Sequence, residues 1–319
     1  YHTWSQLSSD LSGSYSSFAG AATVARRAGG IQTGRLQAVT LAGTRSGITR
    51  RALVYLPPQY FQPRYAHVRF PTIELIHGTP SSPAVWVVHL DIVKLADSLI
   101  SRHLMGPTII VMPTLSVGTN FEEGVDTPGA LDDTYLTHDV RSDVLARYRA
   151  SAAPSEWGIA GFSSGGYVAA NLALRHPALF GASGIMDGYF RPQDGPAAAA
   201  LHHDPAAEKA NNPLLLAAAL GRDASPLPAF WVSVGTDNAA DVAGADAFTA
   251  ALHGVEQVTL YREPGGAHNF YAWQTALPHL LGWMWTQLAA PALRVRFPIS
   301  GPVRDVTLHL APVIAAGRR

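Results

Sequence analysis

Several short segments of this chain are apolar almost from end to end: PTIELIHG (71–78), PTIIVMP (107–113), EWGIAGF (156–162), GASGIM (181–186) and PAFWVSVG (228–235). A strand that shows one face to water alternates apolar and polar residues, whereas an unbroken apolar run is covered on both faces. Among these runs lie stretches of helical periodicity: VWVVHLDIVKLADSLISRH (85–103), THDVRSDVLARYRA (137–150), GGYVAANLALRHPALF (165–180), AADVAGADAFTAALHG (239–254) and NFYAWQTALPHLLGWMWTQL (269–288). RLQAVTLAG (35–43), RALVYLPPQYF (51–61) and QVTLYREPG (257–265) add further strands, about eight in all. Strands that alternate with helices build a mostly parallel sheet with helices on both faces, so the expected class is α/β.

No repeat and no linker divides the pattern, so residues 35–288 are expected to form one domain. Residues 1–34, rich in Ser, Ala and Gly, read as a lead-in segment. Residues 289–319 read as a C-terminal extension packed on or near the same domain, with LRVRF (293–297) and VTLHLA (306–311) as extra strands. Thr137 is the expected N-cap of the helix over 137–150, and residues 191–212 an Ala-rich insertion. Tyr1 in place of a methionine suggests a trimmed or mature form.

Composition removes several classes of function. The 23 basic and 23 acidic residues cancel, and no basic tract is present, so no nucleic-acid partner is expected. The chain has no cysteine, which excludes thiolate catalysis, disulfides and zinc–sulfur sites. No stretch reaches the roughly 18 consecutive apolar residues of a membrane helix.

The segment GIAGFSSGGYVA (158–169) follows one apolar strand and opens a helix. A phosphate-binding P-loop would need a lysine where Tyr167 stands, and a dinucleotide fingerprint would need a G-x-G that is absent. G-x-S-x-G fits once, as Gly161-Phe162-Ser163-Ser164-Gly165, because Phe162 bars a match centred on Ser164. That pattern at a strand-to-helix junction is a nucleophile elbow, which selects Ser163.

A serine nucleophile needs a base, and the base needs an orienting acid. On an α/β-hydrolase sheet they follow in the order Ser, acid, His. His268, in the Gly-rich loop after the last core strand, stands where the base belongs. Asp237, two residues past Gly235, is the preferred acid, with Asp241 as the alternative; Asp187, after the preceding strand, reads as a loop-shaping carboxylate. The two oxyanion-hole amides are assigned to Ser164, which follows the nucleophile, and to Thr79 in IHGTPSS (76–82), where His77 fixes the loop.

LVYLPPQYF, ELIHGTPSSPAVW, IVMPT, TYLTHDV, GIAGFSSGGYVAANLALRHPALFGASG and PGGAHNFYAW, in this order, resemble the putative-esterase family of α/β-hydrolases over about residues 35–288. The family includes esterase D, feruloyl and enterochelin esterases and the antigen 85 mycolyltransferases. The resemblance implies a serine esterase working through an acyl-enzyme, with Ser163 and His268 in the family's serine and histidine positions and the amides of Thr79 and Ser164 as the oxyanion hole. The acid position of many members falls on Asn238, and the mycolyltransferase spacing falls nearer Asp241. Similarity to actinobacterial members implies export or association with the cell envelope.

The implied substrate is a small-molecule, lipid or sugar ester, with no cofactor. Transfer of an acyl group to a sugar or lipid hydroxyl is the alternative activity. A non-catalytic binding module of the same fold is the alternative of another class. Trp86, Phe121, Tyr189, Phe190 and Phe270 fall near strand ends and are candidates to line the substrate pocket. Acidic residues 122, 123, 126, 132 and 133 lack a calcium-loop pattern, and no metal site is expected.

Overall fold

The computed structural model describes residues 33–115, 123–193, 199, 201, 203–220, 227–253 and 255–302. Its strands are β1 (Arg35–Ala42), β2 (Thr49–Leu56), β3 (Thr72–Ile76), β4 (Ile109–Pro113), β5 (Trp157–Phe162), β6 (Ala182–Met186), β7 (Ala229–Gly235) and β8 (Val258–Glu263). They form a single eight-stranded sheet in the order β1-β2-β4-β3-β5-β6-β7-β8. The β1–β2 and β2–β4 pairs are antiparallel, and every other pair is parallel. Strands β3, β4, β5, β6 and β7 are buried at every residue, which is why they carry no alternation.

The helices are α1 (Ala84–Val88), α2 (Ile92–Ser101), α3 (Val140–Arg147), α4 (Ser164–Arg175), α5 (Pro205–Ala210), α6 (Pro213–Ala219), α7 (Ala239–Ala251), α8 (Phe270–Leu288) and α9 (Pro291–Arg296). They cover both faces of the sheet. A side chain at Gly184 of β6 would run into Leu280 of α8, while the next residue, Ile185, meets Gly166 of α4. Successive strand residues point to opposite faces, so α4 and α8 sandwich the sheet. Among the described residues no helix is long and apolar enough to cross a membrane.

Local departures from the sequence expectations have identifiable causes. The segment 85–103 is two helices, parted at Asp91, whose φ is 43°. Thr137 is not an N-cap. Helical backbone begins at Asp132 and passes through a π-helical turn (Tyr135–Asp139) into α3. Thr137 sits inside it and donates its hydroxyl to the Asp133 carbonyl at 2.7 Å, the back-bonding typical of a threonine within a helix. LRVRF, read as a strand, belongs largely to α9. Pro291 occupies its first turn and Phe297 N–H closes on the Leu293 carbonyl at 2.8 Å. Val295 is left 84% exposed, whereas a strand would have placed it beside Leu293 and Phe297. VTLHLA, and the lead-in up to residue 32, lie outside the described residues.

Candidate active site

Ser163 joins the end of β5 to the start of α4 with φ 56° and ψ −126°. A non-glycine residue there costs about 1–3 kcal/mol, so the surroundings must hold it in place. They do so from both sides. Its N–H donates to the Met186 carbonyl on β6 at 2.9 Å, and its carbonyl accepts from Gly166 N–H at 2.9 Å. A side chain at Gly161 would overlap the Gly165 backbone, and one at Gly165 the Ile76 carbonyl, so only this glycine pattern lets the helix start so close to β3 and β5.

His268, in the loop between β8 and α8, reaches the serine. Its Nε2 lies 2.9 Å from Ser163 Oγ, and its Nδ1 lies 3.0 Å from Asp241 Oδ2. This geometry suits the tautomer in which Nδ1–H donates to the carboxylate and Nε2 accepts from the hydroxyl. Both side chains remain partly open: that of His268 is 37% exposed and that of Asp241 25%.

The carboxylate that meets His268 is therefore that of Asp241, not the preferred Asp237. Asp237 is exposed, and its part is played by backbone: its N–H donates to the Gly266 carbonyl at 2.8 Å. The chain then turns at Asn238, the N-cap of α7, which accepts from Ala240 and Asp241 N–H. Asp241 thus falls in the first helical turn, three residues after the cap, where Asn238 Nδ2 donates to its Oδ2 at 2.8 Å. The Asn-x-x-Asp spacing at a helix start is a legible capping signal that marks Asp241 as the inward carboxylate.

The loops bearing Asp241 and His268 are laced together. Thr236 N–H donates to the Glu263 carbonyl at 3.0 Å and Gly265 N–H to Thr236 Oγ1 at 2.9 Å, beside the Asp237–Gly266 bond. β7 and β8 are hydrogen-bonded up to the Gly235–Glu263 pair, so the lacing continues the sheet into the loops.

On the other side of the serine, the segment after β3 is fixed by His77. This side chain is fully buried; its Nδ1–H donates to the Gly78 carbonyl at 2.8 Å, and its Nε2 accepts Leu115 N–H at 3.0 Å. Burial pushes its pKa down to about 4, and Arg50 adds to the shift against the pull of the Gly78 carbonyl. The ring is neutral and committed at both nitrogens, so it ties two loops and is not a second base. Gly78 lies against Ser163: a Cβ there would sit 3.2 Å from Ser163 Cβ. Thr79 follows it at the rim, and Ser164 is the first residue of α4, where backbone N–H groups lack intrahelical acceptors.

The aromatic pocket candidates divide. Trp86 is fully buried and packs edge-on against Phe162 at 5.1 Å, and Phe190 is buried in a stack on Phe248 at 4.1 Å; both belong to the hydrophobic core. Tyr189 is half-buried, stacks on Tyr167 and donates to Glu123. Phe270 is half-buried, stacked on His89 at 4.6 Å. Phe121 lies outside the described residues. The acidic residues of this region brace loops: Asp132 pairs with Arg50, Asp133 with Arg175 and His176, and Asp126 accepts from Thr134.

Two residues that the sequence reading left out of the site adjoin it. Trp273 of α8 meets the His268 ring at 5.3 Å and 83°, and stacks on Phe162 at 4.3 Å. Its indole N–H donates to Asp187 Oδ2 at 2.8 Å.

Comparison with known proteins identifies the family and the fold. A family model described as "Putative esterase" matches residues 44–284. An uncharacterized protein of Corynebacterium glutamicum is 26% identical over 267 residues, 79% of this chain; the match spans 62% of that protein's length. Among solved structures, a ferulic acid esterase superposes with a TM-score of 0.69 at 20% identity, over 80% of this chain and 98% of that one. An S-formylglutathione hydrolase from Agrobacterium tumefaciens gives 0.65 at 19% identity, over 81% and 96%. FphF, a fluorophosphonate-binding serine hydrolase of Staphylococcus aureus, gives 0.66 at 18%, over 79% and 98%. The structural likenesses establish the α/β-hydrolase fold, and the family match over residues 44–284 establishes that the chain belongs to the putative-esterase family.

Proposed function

We propose that this protein is a serine carboxylic-ester hydrolase in which Ser163, His268 and Asp241 form the catalytic triad. The observation that carries the reading is His268 within hydrogen-bond reach of both partners, at 2.9 Å from Ser163 Oγ and 3.0 Å from Asp241 Oδ2. His268 Nε2 takes the Ser163 proton as Oγ attacks the ester carbonyl, and Asp241 stabilises the imidazolium that forms. The backbone N–H groups of Thr79 and Ser164 receive the developing oxyanion. Collapse expels the alcohol, protonated by His268, and leaves an acyl-Ser163. Water, activated by the same histidine, then releases the acid.

The substrate class is a small-molecule ester. The solved relatives named above for ferulate and S-formylglutathione chemistry make aromatic acyl esters and small thioesters sensible first members of a screen. A fluorophosphonate probe tests the mechanism: the expected result is one adduct, mapped by mass spectrometry to Ser163 and lost in Ser163→Ala. No adduct on the native protein, or one that survives the substitution, overturns the reading.

A further inference from the structure

Asp187 follows β6 with φ 44° and is only 4% exposed. A left-handed, buried aspartate is held there by specific partners, and its two carboxylate oxygens have separate ones. Oδ1 accepts Gly235 N–H at 2.8 Å, and Oδ2 accepts Trp273 Nε1–H at 2.8 Å. Gly235 is the last residue of β7, from which the Asp241 loop springs, and a Cβ on it would overlap Gly266 in the His268 loop. Trp273 carries the ring that stands edge-to-face with His268. One carboxylate therefore ties down the root of the acid loop and the aromatic support of the base.

We propose that Asp187 is a positioning residue for His268: its carboxylate holds the Trp273 indole against the imidazole and anchors Gly235 beneath the Asp241 loop. The role rests on His268 being the general base. Burial raises the Asp187 pKa, and the Gly235 N–H, the nearby His268 and the Trp273 N–H each pull it part of the way back. Asparagine at this position has the same shape but one acceptor and one N–H₂ group. It must present a donor to either Gly235 N–H or Trp273 N–H, so one anchor is lost while the volume is kept.

The test uses Asp187→Asn, Trp273→Phe and the double variant, each with its melting temperature measured. In the first arm, histidine-labelled protein is examined by NMR, with the His268 ring resonance assigned through His268→Gln. The expected result is a shifted or broadened His268 resonance in Asp187→Asn at a temperature where the protein stays folded. An unmoved resonance overturns the proposal whether or not any ester is cleaved. In the second arm, p-nitrophenyl ester hydrolysis is normalised to titrated active sites. The expected loss in kcat is on the order of 10- to 100-fold with KM little changed. The double variant should lose less than the product of the two single losses, because Asp187 and Trp273 share one contact. Losses that multiply, or a raised KM with kcat intact, overturn it. Absence of turnover and labelling in the native protein would sink the esterase reading instead, and the NMR arm would still decide the role of Asp187.

Discussion

Replacing Asp241 by asparagine separates the charge of the acid from its shape. Asparagine Oδ1 can take the place of the oxygen that now faces His268 Nδ1 at 3.0 Å and Asn238 Nδ2 at 2.8 Å, so the hydrogen bonds survive and the negative charge is lost. A unit-charge pair about 4 Å apart is worth roughly 1 kcal/mol in water and roughly 4 kcal/mol near a protein surface. With the two side chains 37% and 25% exposed, the pair lies between these limits. A loss of about 2–3 kcal/mol in stabilising the imidazolium corresponds to a fall in kcat on the order of 100-fold. That is smaller than the roughly 10⁴-fold loss at a triad acid whose asparagine replacement leaves the histidine in the wrong tautomer; here Asn238 Nδ2 favours an oxygen, not an N–H₂ group, facing His268. The assay is p-nitrophenyl butyrate hydrolysis per titrated active site, with Asp237→Asn measured alongside. Asp237→Asn should stay within about twofold of the native enzyme, as expected of an exposed residue away from the reacting groups. A comparable loss in Asp237→Asn, or an Asp241→Asn variant that keeps most of its kcat, would refute the reasoning.

Other substitutions probe the fold beneath the site. Gly165→Ala would press a methyl group onto the Ile76 carbonyl; backbone on both sides cannot yield, so a loss of about 3 kcal/mol is expected, visible as a melting temperature lowered by roughly 6–10 °C. Glu74, in the middle of β3, is fully buried with neither carboxyl oxygen in hydrogen-bonding geometry. Burial pushes its pKa from 4.5 to about 8, against the pull of Trp157 and Arg141. The unfolded chain releases this proton first, so the residue weighs against folding increasingly as pH rises from 4.5 to about 8. Glu74→Gln should match the native protein near pH 4.5 and exceed it by up to about 4–5 kcal/mol near pH 8 in urea unfolding; a difference that does not grow with pH would count against the assignment.

Much of the architecture was legible because the inner strands are covered on both sides. PTIIVMP and PAFWVSVG leave no polar face to argue over, and G-x-S-x-G between a strand and a helix isolates Ser163 by the bulk of Phe162 alone. The acid was harder. Counting along the chain favours Asp237, the first carboxylate past the strand, but the turn at Asn238 sends that residue outward and rotates the third helical position toward His268. LRVRF illustrates a related ambiguity. Leu293, Val295 and Phe297 alternate like a strand, yet Leu293 and Phe297 are also four apart, and Pro291 starts a helix that keeps only that pair together. Asp187 stood out only as a loop-shaping carboxylate, and its contact with Trp273 was invisible for another reason. The two lie 86 positions apart, and nothing in either neighbourhood announces the contact.

The hydrogen bonds that lace Thr236, Asp237 and Gly265 to their neighbours make the Asp241 and His268 loops a single mechanical unit growing out of two adjacent strands. Relative motion between Asp241 and His268 would have to peel β7 from β8. Diversification of this scaffold, natural or engineered, is therefore steered to the opposite rim. Segments beyond Thr79 after β3 and beyond Asp187 after β6 can be lengthened, shortened or exchanged while the His77 tie and the Asp187 anchors stay in place. Insertions into 235–241 or 263–268 would instead detune the proton relay for every substrate at once.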